Sequence, residues 1–328
     1  MVTVVRYRPE FRDAWDSFVP MCRNSSFLFL RSYMEYHKDH ISDISLMIYR
    51  KDRLSALFPA CINNDGTVSS HEGLSYGGML ITPEEHSDNN MTYLAEVMRF
   101  YHDKGYEKLI IRQMPAFYST LPVDELEYAL FLADAKVIRT YLHSAIDLNQ
   151  NSRLPIQRRR REGIKRAEEN GIDVVETSDF EEFWKSILIP NLMERHAAKP
   201  VHCAEEIKSL SESNVGNIRQ FNAMYMGRIM AGCTVYSIGQ VVKAQYFSGC
   251  DEGRSNGSLD YLVYILLSKY FNDRKYFDFG NSNTVNGMKI NHGLLSWKEG
   301  FGARSYIQRY FMVDTRKYNQ ILDAFLLG

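Results

Sequence analysis

Residues 241–302 constrain the fold more than any other part of the chain. Val241-Val242-Lys243-Ala244-Gln245-Tyr246-Phe247 is a run of β-formers. Glycine and polar residues fill 248–258, and 259–269 is apolar almost all round, the mark of a buried helix. Residues 275–280 predict a second strand, and a further helix ends at Trp297-Lys298-Glu299-Gly300-Phe301-Gly302. Strand, loop, helix, strand, helix is a βαβ unit whose loop opens on a helix N-terminus. Such a junction suits an anion, because the first turn offers unpaired N–H groups and the positive end of the helix dipole. Gly257 lets a bulky anion approach the backbone, and Arg254 adds charge and forked donors.

A length of 328 residues predicts two domains, 1–150 and 151–328, each with its own core. Apolar residues at 45% and aromatics at 13% exclude a disordered chain. A formal net charge of -1 gives no global attraction to nucleic acid or anionic lipid, so either partner needs a local patch. Cys22, Cys61, Cys203, Cys233 and Cys250 are odd in number and never spaced as CxxC. They read as core thiols of a reducing compartment, with no metal site. The N-terminal residues lack the apolar core of a signal peptide, and no run reaches the roughly 20 apolar residues of a membrane span. A cytoplasmic protein is expected.

The remaining chain reads as mixed α/β. A strand is expected at 2–7, helices at 9–22 and 31–40, and strands at 44–50 and 53–62 joined by a turn at Lys51-Asp52. Asn63-Asn64-Asp65-Gly66 signals a hairpin. A helix at 90–104 should stop before Gly105, followed by strand 106–113, helix 123–133 and strand 137–148. The second half repeats this order. Residues 49–57 resemble 224–230, each with a tight turn ending in Arg53 or Arg228, 106–112 corresponds to 275–280, and 135–147 echoes 303–314. Two copies of one α/β unit account for the pattern. Only the second carries the anion loop, since Thr82-Pro83-Glu84-Glu85 in the first would repel a phosphate. The first is expected to brace it and supply one wall of an acceptor cleft.

Arg254-x-x-Gly257-Ser258 resembles the pyrophosphate loop of the GNAT acyltransferases, R/Q-x-x-G-x-G/A, with Leu259 where Gly or Ala is usual. Asn291 followed by Trp297-Lys298-Glu299-Gly300-Phe301 resembles the GNAT ending, and also the Lys-x-Gly-Phe-Gly signature of Fem-type transferases. Tyr276-Phe277-Asp278-Phe279-Gly280 is similar to the Tyr-Asp-Phe-Gly strand of that same family. On these residues the chain is identified as a member of the FemAB-like branch of the GNAT superfamily, a tandem of two GNAT-like domains. The resemblance implies an acyl-CoA co-substrate held by Arg254, Asn256, Gly257, Ser258, Leu259 and Asn291, and an amine acceptor, either a small molecule or a cell-wall precursor. It leaves open an aminoacyl-tRNA-dependent transferase acting on a peptidoglycan precursor, and an inactive ligand-binding module.

Three clusters carry a functional and a bland reading each. Arg153, the run 158–161, Lys165 and Arg166 surround one acid, Glu162. They are either a solvated helix face or a phosphate grip, with Arg160 and Arg161 as the substrate contacts. Fem-type transferases carry a similar Arg-Arg-x-Ile run here. Arg195 and His196 lie between Pro190 and Pro200, and His202 follows two residues after Pro200. They are either structural or a site in which His196 is the catalytic base and Arg195 and His202 hold the acceptor. Asn281-Ser282-Asn283 ends a strand where open α/β sheets place ligands, but also suits a turn. As site residues, Asn281 binds substrate, Ser282 protonates the departing thiolate and Lys298 contacts substrate. Trp297 stands where many GNAT enzymes have the tyrosine that does this protonation.

Overall fold

The computed structural model describes residues 1–37, 41–196 and 198–326. The chain forms two compact units. One comprises Met1–Tyr141, Val285–Met288 and Ile307–Gly328, the other Leu142–Thr284 and Lys289–Tyr306.

In the first unit four antiparallel strands lie in the order Val2–Arg6, Leu46–Arg50, Arg53–Phe58, Leu80–Ile81. Strand Lys108–Arg112 pairs with Val68–Ser69 in parallel and with residues 310–314 antiparallel. Helix Ser87–Asp103 turns Tyr93, Leu94, Val97, Met98 and Tyr101 into the core, the three-and-four spacing of an amphipathic helix. It ends ahead of Gly105, whose φ of +84° closes it, as expected. The Asn63–Gly66 hairpin also forms, Cys61–Ile62 pairing with Val68–Ser69.

The expected helices 9–22 and 31–40 are instead short pieces, Pro9–Phe11, Arg12–Phe18, Val19–Met21, Arg31–Met34 and Glu35–His37, with 38–40 outside the described residues. Pro20 has no N–H to donate, so the first run cannot continue as one α-helix. The helical stretch from Glu181 to His196 likewise contains a π turn, at Trp184–Leu188 just before Pro190.

The second unit holds strands Asp173–Thr177, Ile218–Tyr225, Arg228–Ile238, Val241–Gly249 and Tyr276–Asn281, followed by residues 142–147 of strand Lys136–Asp147. All neighbours are antiparallel except Val241–Gly249 and Tyr276–Asn281. That parallel pair is the βαβ unit expected from the sequence. Its register runs only through Val241↔Tyr276, Val242↔Phe277 and Lys243↔Asp278. The two units share a detail predicted by the repeat: Lys51-Asp52 and Met226-Gly227 are two-residue turns with positive φ throughout, closed by Arg50↔Arg53 and Tyr225↔Arg228.

Candidate active site

A groove of about 730 Å³ in the second unit has walls from helices Arg158–Glu169, Asp251–Ser255, Ser258–Ile265 and His292–Glu299. Arg159, Arg160, Arg166, Arg195 and Arg254 line it, and Asp260 is the one acid among its described lining residues. Five guanidiniums against one carboxylate give a positive field that selects a polyanion.

That carboxylate is already engaged. Asp260 Oδ1 accepts from Arg160 Nη1 and from Trp297 Nε1, both at 2.8 Å. Burial pushes the Asp260 carboxyl above the usual range, and Arg160 pulls it back. Trp297 stacks on Phe247, centroids 5.5 Å apart at 14°. Asp260, on helix Ser258–Ile265, thus joins the arginine helix Arg158–Glu169 to helix His292–Glu299.

The glycine loop differs from expectation. A short helix, Asp251–Ser255, occupies it, and the next helix begins at Ser258. Gly257 has φ +87°, and a methyl there would lie 2.0 Å from the carbonyl oxygen of Gly163 on the arginine helix. Its bare Cα therefore admits a neighbouring helix, which covers the face that sequence reasoning opened to a pyrophosphate. Asn256 Oδ1 accepts from the Ser258 N–H at 3.0 Å and its hydroxyl at 2.6 Å, and Ser258 is buried. Both are turned to the helix start, while Leu259 faces the groove. Asn291 also lines it, its Oδ1 capping the Leu294 N–H at 3.0 Å. Arg254 donates to the Gly249 carbonyl and to Asp251, whose carboxyl Arg254 holds below the usual range. Arg195 Nη2 reaches the same Asp251 Oδ1 at 2.9 Å.

The arginine run divides by helix face. Arg159 and Arg166, seven residues apart, face the groove with Arg160. Arg158 is exposed and paired with Glu162 at 2.7 Å. Arg161 donates to the Ile156 carbonyl at 3.0 Å and is not among the lining residues.

Beyond Lys243↔Asp278 the ladder between the parallel strands ends, and a cavity of about 260 Å³ lies there, lined by His143, Lys243, Gln245, Asn281 and Lys298. Phe247 and Leu294 line both spaces. A register shift against strand Arg228–Ile238 leaves Gln245 out of its ladder. Lys298 is buried; its Nζ donates to the carbonyls of Gly280 (3.0 Å) and Asn281 (2.7 Å). Burial lowers its pKa to about 8, against the pull of Asp278. Asp278, fully buried, accepts at Oδ1 from the Gly280 N–H (2.7 Å), and its Oδ2 is 3.4 Å from His143 Nδ1. Lys243 faces Asp278 across the ladder, and burial pushes its pKa down.

The remaining expected residues lie elsewhere. Ser282 is buried and its Oγ has no hydrogen-bond partner among the described residues, but it lines neither space. His202 is buried too: its Nδ1 is 2.7 Å from the Tyr246 hydroxyl, and its carbonyl accepts from Trp184 Nε1 at 3.0 Å. His196 ends helix Ile189–His196, and its side chain is outside the described residues. Sequence reasoning missed His143, Lys243, Asp260 and Asp278. Asp278 did leave a signal, a lone acid between Phe277 and Phe279 in a strand, where a charge needs a partner.

No protein-family model matches the sequence, and no curated protein matches it. Solved structures do. The crystal structure of FemX is similar over 98% of this chain and 100% of that one, with TM-score 0.67 and 12% identity. A tandem GNAT protein from the clavulanic acid biosynthesis pathway matches over 96% and 99%, with TM-score 0.56 and 12% identity. L-PGS from Bacillus licheniformis matches over 96% and 95%, with TM-score 0.59 and 11% identity. At these identities the likeness is one of fold: the chain has the fold of FemX and of the tandem GNAT protein.

Proposed function

We propose that the chain is an N-acyltransferase, taking an acyl group from acyl-CoA and passing it to an amine by direct attack on the thioester. The observation that carries this reading is the arginine groove adjoining, at Phe247 and Leu294, a cavity at the point where two parallel strands stop pairing. The groove takes the phosphates of the carrier, and Arg159, Arg166 and Arg254 are the first candidates to meet them. A thioester laid along Phe247 brings its carbonyl toward Lys298, whose buried ammonium suits a developing oxyanion. The acceptor amine enters the smaller cavity, beside Asn281.

One observation favours a second reading. The arginine helix covers Gly257, so the usual seat of a coenzyme pyrophosphate is narrowed, while five arginines remain to meet a larger polyanion. That suits an aminoacyl-tRNA as donor and a peptidoglycan precursor as acceptor.

Acetyl-CoA mixed with the protein and a pool of primary amines, followed by mass spectrometry for acetylated products, tests the first reading. Protein-dependent acetylation supports it. Binding of acetyl-CoA with no product marks an inactive module, and transfer from aminoacyl-tRNA alone moves the assignment to the second reading.

A further inference from the structure

We propose that His143 is the general base of the transfer and that Asp278 is the positioning residue that orients it. This rests on the acyltransferase reading above and adds the group that moves the proton.

His143 lies on strand Lys136–Asp147, opposite Asn281 in the ladder, and is 6% exposed. The register slips between Asp278 and Asn281, where Gly280 takes φ +69°. The slip brings Asp278 Oδ2 within 3.4 Å of His143 Nδ1, while Asp278 Oδ1 is held by the Gly280 N–H. A carboxylate at Nδ1 favours the tautomer protonated there and makes Nε2 the basic nitrogen. This is the logic by which a buried acid prepares a histidine in hydrolase triads. His143 lines the 260 Å³ cavity assigned to the amine. Among the described residues, Asp278 on the neighbouring strand contacts it, and Lys243 on the strand beyond and Lys298 on helix His292–Glu299 line the same cavity.

The step balances. A neutral primary amine gives its lone pair to the thioester carbonyl carbon, the C–N bond forms and the C–S bond breaks, and the electron pair leaves on sulfur. The proton shed by nitrogen passes to His143 Nε2 and then to the thiolate, leaving an amide and a free thiol.

Turnover and structure test it separately. His143→Gln should lower kcat by roughly 10²-fold or more, the loss expected for a general base, with CoA affinity by calorimetry unchanged. Asp278→Asn should lower kcat with the KM for amine retained. Nitrogen NMR of histidine-labelled protein needs no turnover: His143 should carry its proton on Nδ1, and Asp278→Asn should move it to Nε2. A proton resident on Nε2 in the unaltered protein, or undiminished kcat in His143→Gln, overturns the proposal. Should His143→Gln fail to fold, the Asp278→Asn spectrum still decides, since an unchanged tautomer also overturns it. Absence of CoA binding by the unaltered protein would defeat the acyl-CoA reading and leave the tautomer result standing.

Discussion

Gly257 and Gly163 approach so closely that a methyl group on Gly257 would stand 2.0 Å from the Gly163 carbonyl oxygen. In the other direction, a methyl on Gly163 would lie 2.4 Å from Asp260 Oδ2. The two glycines let the arginine helix sit directly on the start of helix Ser258–Ile265, and that contact sets which arginines reach the groove.

Gly257→Val should therefore damage the fold before it reports on any ligand. The left-handed backbone alone costs roughly 1–2 kcal/mol for a residue with a Cβ, and the overlap with Gly163 adds to it. Denaturant unfolding should show the loss. A variant as stable as the parent would contradict this account of the contact.

Asp260→Ala should leave Arg160 without its partner and Trp297 without its acceptor. Removing one member of a largely buried pair costs roughly 3–5 kcal/mol at most, and Asp260→Asn should cost less because it still accepts from the indole. Trp297 emission should shift in the alanine variant. Unaltered stability and emission in both variants would show that the link holds nothing.

Local signals were legible and non-local ones were not. The turns at Lys51-Asp52 and Met226-Gly227, the hairpin at Asn63–Gly66 and the stop at Gly105 are each fixed by a few adjacent residues, and each forms. The parallel βαβ pair was legible for the same reason. His143 and Asp278 are 135 residues apart, so nothing in either segment names the other. The arginine run was visible, but its division into groove-facing Arg159 and outward Arg158 depends on how the helix is rotated against its neighbours. Gly257 was read as open to a ligand because the helix that fills the space comes from 94 positions earlier in the chain, at Gly163.

Lys298 should make stability depend on pH. Burial lowers its pKa from 10.5 to about 8, so below pH 8 the folded chain carries a disfavoured buried charge, and that cost lifts as pH rises from about 8 to 10.5. Over that window the unfolded chain binds more protons, and stability should rise by up to roughly 1.4 kcal/mol per pH unit relative to Lys298→Met. Unfolding of both proteins from pH 6 to 10 measures the difference, which should be flat below pH 7. A difference that stays flat to pH 10 would contradict the burial of an ionisable amine there.

The central claim is that the arginine groove holds the phosphates of an acyl carrier. Calorimetric titration with acetyl-CoA, comparing the parent with Arg159→Gln/Arg254→Gln and with Arg158→Gln/Arg161→Gln, tests it most directly. The groove pair should weaken binding by roughly tenfold or more, as loss of charge-assisted phosphate contacts implies, and the outward pair should leave it unchanged. Equal affinity in all three proteins, or equal loss in both double variants, would contradict the account.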